Sequence, residues 1–124
     1  MANGETKELA NLAEVFKALG HPTRLWIVKH LAGKELCVCD FVAGTNEEFS
    51  SISQHLNVLK KARVVKFDKR GKHIFYRLAY PCLPWLIDCM EARDEFSLLS
   101  PDEQSRLFEQ QRQKLIEHLL QQEN

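Results

Sequence analysis

The sequence predicts a mostly helical protein that carries one β-hairpin. Apolar residues recur at intervals of three and four over most of the chain, the spacing of amphipathic helices. Between residues 64 and 78 this spacing gives way to β-branched and aromatic residues on both sides of a KRGK turn, which is typical of a hairpin. The length of 124 residues fits a single domain, and 44% hydrophobic with 27% charged residues excludes a disordered or collagen-like chain.

Most of the helices have a recognisable start or stop. Gly20 ends the first helix, and the second begins at Pro22 and ends at Gly33. The fourth helix is predicted to be capped by Ser50 or Ser51. The six predicted helices cover about residues 7–19, 22–33, 36–42, 50–62, 83–96 and 101–121, so that a compact part at about 7–95 is followed by a C-terminal helix.

Charge is segregated along a chain whose net charge is zero. Residues 49–80 contain eight Lys or Arg and a single acid, Asp68, for a net charge of +7. The flanking segments are acidic, with −2 over residues 1–48 and −5 over residues 81–124. Because the cations are concentrated in one segment, the pattern favours a polyanionic partner.

The basic segment holds a helix followed by a hairpin, the order of a winged helix-turn-helix, and this predicts binding to double-stranded DNA. Ile52, Leu56 and Leu59 form the buried stripe of the helix, with short polar side chains on its opposite face. Such side chains contact base edges and phosphates, and cations on a hairpin loop contact the backbone or a minor groove. The predicted DNA-binding residues are Ser50, Ser51, Ser53, Gln54, His55, Asn57 and Lys61 on the helix and Lys69, Arg70 and Lys72 on the hairpin. For His55, a local structural hydrogen bond is the open alternative.

Three ordered motifs resemble the ArsR/SmtB family of metal-sensing bacterial repressors. They are FKALGHPTRLWIVKHL, ELCVCDFV and SSISQHLNVLKKARVVKFDKRGKHIFYRL, within about residues 9–80. The resemblance implies a homodimeric winged-helix repressor that binds a palindromic operator until an inducer releases it. It also implies a dimer interface made by residues 7–19 and about 82–95, which the last helix would extend. Two positions depart from the family pattern: Arg63 replaces a usual Gly, and His21 replaces a frequent Asp.

Cys37 and Cys39 are the strongest chemical signal, because thiolates bind soft, thiophilic ions. Residues two apart on a regular helix point about 200° away from each other, so the pair can close on one ion only at a frayed helix start or in extended backbone. The alternative is that both are simply buried small hydrophobic residues. The sequence ELCVCD is similar to the arsenic-sensing branch of the family, and this similarity favours an ion site for arsenic(III) or antimony(III).

The third ligand of such a site is open. The arsenic-sensing pattern has a third Cys five residues after the first, where this chain has Val42. Cys89, or Cys82 in its place, is the remaining candidate, and their separation by about 10.5 Å along a helix prevents them from chelating one ion together. The fifth helix has no His beside Asp88, so the zinc site of the family is not expected there.

Two other functions are alternatives. The first is a repressor of the same fold that senses oxidants or reactive sulfur through a disulfide or persulfide of its cysteines. The second, an enzyme, is disfavoured because the sequence contains no C-x-x-C, no Gly-rich phosphate loop and no clear Cys–His–acid set. No cofactor is expected beyond the inducer ion. The N-terminus does not resemble a signal peptide and no apolar run is long enough to span a membrane, so a cytoplasmic protein with free thiols is expected.

Overall fold

The computed structural model describes residues 3–122, and the chain forms two compact units, Met1–Tyr80 and Pro81–Asn124. The element order is α1 (Asn3–Leu19), α2 (Pro22–His30), β1 (Leu36–Cys37), α3 (Val38–Ala43), α4 (Phe49–Lys61), β2 (Val65–Arg70), β3 (His73–Leu78), α5 (Leu83–Glu91), α6 (Arg93–Ser97) and α7 (Pro101–Gln122). The mostly helical class with a hairpin is confirmed. None of the helices within residues 3–122 is long and apolar enough to cross a membrane.

Unit 1 is built around one core to which each of its helices contributes. α4 packs against α1, α2 and α3, and its end adjoins β2. Apolar side chains at helical spacing supply the core, because burying them removes the most apolar surface from water. The largest fully buried side chains are Phe41, Ile27, Leu31, Ile52, Leu56, Leu59, Val28 and Val64.

The hairpin is one part of a three-stranded antiparallel sheet with the order β1-β3-β2. Its turn lies at Gly71, whose φ of +62° is in the left-handed region that glycine adopts without strain. β1 pairs Leu36 with Tyr76 and Cys37 with Phe75. The prediction of helix from residue 36 was therefore wrong by two residues, because the edge of β3 offers these residues backbone partners and the helix begins only at Val38.

Four helix boundaries also differ from the prediction. The second helix ends at His30, three residues before the predicted stop at Gly33, because residues 31–33 form a turn in which Gly33 has a φ of +67°. The first helix begins four residues earlier, at Asn3. α4 begins at Phe49 with Glu48 as its N-cap, so neither Ser50 nor Ser51 caps it. The fifth predicted helix is divided at Ala92, where a ψ of 11° interrupts the helical backbone between α5 and α6.

Unit 2 consists of α5, α6 and α7. α5 and α6 contact each other, and the indole N–H of Trp85 on α5 donates a hydrogen bond to Oε1 of Gln111 on α7, 2.8 Å away. α7 begins with a capping box, since Ser100 and Glu103 each accept a hydrogen bond from the other's backbone N–H.

Candidate nucleic-acid interface and thiol site

The α4 helix separates a buried stripe from a polar face, as its sequence spacing predicts. Ile52, Leu56 and Leu59 are fully buried in the core of unit 1. This fixes the rotation of α4 about its axis, so the opposite side must face solvent. The exposed predicted residues on that side are Ser50, Gln54, Asn57 and Lys61, and Ser53 beside them is half-buried.

Two predicted contact residues are instead engaged by Glu47, just before α4. The Ser51 hydroxyl donates to one carboxylate oxygen of Glu47 at 2.6 Å, and the Thr23 hydroxyl on α2 donates to the other at 2.7 Å. These two hydrogen bonds lower the pKa of Glu47 below 4.5. The carboxylate therefore ties the first turn of α4 to α2.

His55, the second of these two residues, completes the cluster between α2 and α4. Its Nε2 lies 3.9 Å from Glu47, and its ring packs on that of His21 with 4.4 Å between centroids. Burial lowers the pKa of His55 below 6.5, because it disfavours the charged form. These contacts favour the structural alternative for His55.

His21 takes the role of the Asp that is frequent at this position in the family pattern. It is the N-cap of α2, and its Nδ1 accepts a hydrogen bond from the backbone N–H of Thr23 at 3.1 Å. A ring nitrogen thus satisfies one of the free N–H groups at the helix start, the task that a carboxylate oxygen usually performs.

The backbone at Arg63 adopts the left-handed conformation that glycine favours. Its φ is +61° in the turn between α4 and β2, the position where the family usually has Gly. The turn keeps its hydrogen bonds, from Arg63 N–H to Lys60 O and from Val64 N–H to Leu59 O. The tight turn therefore forms despite the departure, and it exposes one more cation after α4.

The three predicted cations of the hairpin are exposed, but their surroundings differ. Lys69 lies near the end of β2, and Lys72 lies in the turn itself. Arg70 forms an ion pair with Glu35 at 2.7 Å and a second with Asp68 at 3.3 Å. Its pKa is raised by the hydrogen bond and charge of Glu35 and, to a lesser extent, by Asp68. Arg70 is therefore held by acids of its own chain.

The thiol pair lies at the boundary between β1 and α3, where the spacing argument requires it. Cys37 is the N-cap of α3 in extended backbone (φ −95°, ψ 170°), and its N–H donates to the Asp40 carboxylate at 2.9 Å. Cys37 is buried and Cys39 is exposed. The expectation of free thiols is wrong for this pair, because in this structure the two are joined by a disulfide, with their Cα atoms 5.4 Å apart.

The structure brings His73 to this pair. The donor atoms of Cys37, Cys39 and His73 all lie within 4.8 Å of one another. His73 is the first residue of β3 and comes directly after the hairpin turn. The strand register explains the proximity, because Cys37 pairs with Phe75, two residues further along the same strand.

The two remaining cysteines lie in unit 2. Cys82 is the half-buried N-cap of α5, and Cys89 is exposed on the same helix, where it lines a groove with Trp85 and Phe96. Within residues 3–122, the group of three metal-binding side chains that the structure brings together contains neither of them. Whether Cys89 or Cys82 supplies a third sulfur stays a prediction.

Sequence reasoning missed three residues that the structure places at these sites: His73, Glu35 and Glu47. Each makes a tertiary contact: His73 with the two cysteines, Glu35 with Arg70, and Glu47 with Thr23 of α2. Part of the signal for His73 was available in the sequence. The third ligand of the cysteine pair was left open, and an imidazole, which can bind metal ions, follows directly after the predicted hairpin turn.

Comparison with known proteins finds bacterial transcriptional regulators. Residues 21–66 match the family described as bacterial regulatory protein, arsR family. The chain is 32% identical over 105 residues to the arsenic resistance transcriptional regulator ArsR1 of Pseudomonas putida KT2440, a match covering 80% of each protein. It is 41% identical over 68 residues, 55% of its length, to the transcriptional repressor SmtB homolog of Synechocystis, and it spans about half (52%) of that relative.

The fold is similar to that of solved structures of the same family. For the homodimeric winged helix-turn-helix DNA-binding domain of Mb0332 from Mycobacterium bovis (fragment 1–100), the TM-score is 0.67 at 26% identity, covering 79% of this chain and 91% of that one. These relatives are DNA-binding regulators, which confirms the prediction that the protein is not an enzyme. The chain belongs to the ArsR/SmtB family of winged helix-turn-helix transcriptional repressors.

Proposed function

We propose that this protein binds a palindromic operator as a homodimer and leaves it when a thiophilic ion, such as arsenite or antimonite, binds the thiolates of Cys37 and Cys39. The observation that carries the proposal is the position of the two sulfur atoms. They lie together at the start of α3, and α3 packs directly on α4, which carries the polar face. An ion that reshapes the start of α3 thereby acts on the helix proposed to read DNA.

DNA binding is proposed to use the exposed face of α4 in the major groove and the hairpin on the backbone. Ser50, Gln54 and Asn57 project into solvent from the side of α4 that lies opposite the buried stripe. Amides in this position suit adenine edges, and Lys61, Lys69 and Lys72 suit phosphates. A repressor acts where the DNA is, so the proposed location is the cytoplasm.

The homodimer is supported by an apolar stripe on α1. Leu9, Leu12 and Phe16 share one face of that helix and are 50%, 47% and 55% exposed. Large apolar side chains in a row on one helix are typical of an interaction surface. Two-fold symmetry would then place two α4 helices in successive major-groove segments, which is why the proposed operator is a palindrome.

The test is release of the reduced protein from its own promoter during titration with arsenite, antimonite, cadmium and mercury, followed by fluorescence anisotropy. We expect Cys37→Ser and Cys39→Ser to bind the promoter normally and to ignore the inducer. Cys82→Ser and Cys89→Ser test the proposed third sulfur in the same assay. Release of both Cys37→Ser and Cys39→Ser at wild-type arsenite concentrations would contradict the assigned site.

The disulfide between Cys37 and Cys39 favours a second candidate, a repressor that senses oxidants or reactive sulfur. In that case two thiols would lose two electrons and two protons to an oxidant such as a peroxide, which is reduced to water. Mass spectrometry after treatment with peroxide or polysulfide distinguishes the candidates. A modified Cys37–Cys39 pair that releases DNA, in a protein that ignores every ion, would favour the second.

A further inference from the structure

We propose that His73 is the third ligand of the Cys37–Cys39 site, and that the set of two thiolates and one imidazole selects a divalent d¹⁰ cation of the zinc and cadmium type. This inference rests on the ion-responsive function proposed above and specifies its ion. It also assigns the site a ligand from the hairpin, outside the helix that carries the two cysteines.

The geometry is close to what one ion requires. Ligands that lie about 2.0–2.3 Å from a tetrahedral ion are about 3.3–3.8 Å from one another. In the disulfide form the two sulfur atoms and the imidazole nitrogen lie within 4.8 Å of one another, so side-chain rotations that separate the sulfur atoms after reduction can complete the set. The sulfur atoms bind an ion only as thiolates, so reduction of the disulfide by two electrons and two protons must come first.

Access to the site is open. Cys39 and His73 are exposed, whereas Cys37 is buried and anchored by the bond from its N–H to Asp40. One fixed ligand and two accessible ones allow an ion to enter from solvent without unfolding the core.

The donor set decides which ions fit. Thiolates suit soft and borderline ions, and imidazole suits zinc and copper. A site with three thiolates would be preferred by arsenic(III), and Val42 removes the sulfur that would complete it. Replacing one thiolate by a neutral imidazole therefore shifts the preference toward ions that accept nitrogen.

The hairpin provides a physical link between ion binding and DNA binding. His73 pairs in the strand register with Arg70, and Arg70 is bound to Glu35, two residues before Cys37. An ion bridging Cys37, Cys39 and His73 would thus fix the hairpin tip against the same segment that holds Arg70. Arg70 cannot serve Glu35 and a DNA phosphate at once, so ion binding and DNA binding would oppose each other, reciprocally.

The experiment uses the full-length protein, kept reduced by a phosphine under anaerobic conditions and titrated with Cd²⁺. Sulfur-to-cadmium charge-transfer absorption reports thiolate binding, and the imidazole NMR signals report His73 directly. For His73→Gln we expect at least a tenfold loss of cadmium affinity, since even losing a partner of a ligand costs about ten- to a hundredfold. His30→Gln, which removes an exposed imidazole on α2, is the matched control and should bind as wild type.

A second variant tests selectivity. His73→Cys completes a set of three thiolates, so it should bind cadmium at least as tightly as wild type and gain affinity for arsenite. Wild-type cadmium affinity in His73→Gln, or imidazole signals of His73 that do not move on titration, would overturn the assignment. A folding defect is excluded by comparing thermal unfolding of the variants without metal.

The outcomes separate this inference from the function on which it rests. If Cys37→Ser abolishes ion response while His73→Gln leaves it intact, the proposed function stands and the ligand assignment fails. If Cys37→Ser and Cys39→Ser still respond, the function itself fails. If the His73→Gln variant, once saturated with cadmium, still dissociates completely from the promoter, the proposed coupling through the hairpin is wrong.

Discussion

The guanidinium of Arg70 lies 2.7 Å from the carboxylate of Glu35, so the hairpin that should face DNA is held by an acid of its own chain. Both side chains are partly exposed, at 49% and 38%, and the pair is therefore only modestly stabilising, by about 0–1 kcal/mol. An interaction of this size can hold Arg70 in place when no DNA is bound. It is also weak enough to be replaced by a contact between Arg70 and a DNA phosphate.

Glu35→Gln should therefore tighten DNA binding, by about two- to fivefold at low salt, the factor that corresponds to a surface ion pair. Fluorescence anisotropy with operator and with random duplex measures the change. Glu8→Gln, which removes the same charge from the exposed side of α1, is the control. Equal gains for the two variants would mean that net charge alone is responsible and that Arg70 is not restrained.

Gln54 and Ser51 should behave oppositely, although they are three residues apart on α4. Gln54→Ala should change operator preference by about 1–3 kcal/mol for each base that its amide reads, because that amide is exposed on the face proposed to enter the major groove. Ser51→Ala should leave preference unchanged and lower the free energy of unfolding by about 1 kcal/mol, because its hydroxyl is bound to Glu47. Selection from a randomised operator library, together with urea unfolding, measures both effects. A preference altered by Ser51→Ala alone would reverse the assignment.

Arg63→Gly should stabilise the fold. A φ of +61° costs a non-glycine residue roughly 1–2 kcal/mol, and glycine removes that cost while adding unfolded-state entropy. We expect a net gain of about 0.5–1 kcal/mol in urea unfolding. Arg63→Ala keeps the strained conformation and removes the same charge, so it should give no gain. A gain shared by both variants would show that relief of charge repulsion, rather than backbone strain, is the cause.

His55 should make the fold less stable in acid. Burial lowers the pKa of His55 below the 6.5 of the unfolded chain, so the unfolded state binds more protons in the interval between the two values. The free energy of unfolding should fall as the pH drops below about 6.5, through the pKa of folded His55. At still lower pH, below 4.5, protonation of Glu47 should reduce it further.

The measurement is urea unfolding between about pH 7.5 and about pH 4, as the slope of stability against pH. His55→Gln should flatten this slope just below pH 6.5, whatever its effect on stability at neutral pH. His30→Gln keeps the His55 ring and should retain the part of the wild-type slope that His55 produces. An unchanged slope in His55→Gln would show that the ring titrates equally in both states.

Local sequence patterns specify one part of the candidate sites, and tertiary contacts specify the other part. The polar face of α4 was predictable because Ile52, Leu56 and Leu59 recur at helical spacing, and burying them orients every other side chain of that helix. The position of Cys37 and Cys39 at a helix start was also predictable, because two residues so close in sequence cannot converge within a regular helix. The two residues of β1 were not predictable, because so short a strand exists only where β3 supplies its partners.

By itself, then, the sequence determined the helical class, the hairpin, the basic segment and the thiol pair, because each depends on residues near one another in the chain. Only the tertiary structure decided which distant side chains contact one another: His73 with the two cysteines, Glu35 with Arg70, and Glu47 with Thr23 on α2. These contacts depend on strand register and helix packing. Both arise from burial of the whole core and produce no local periodicity in the sequence.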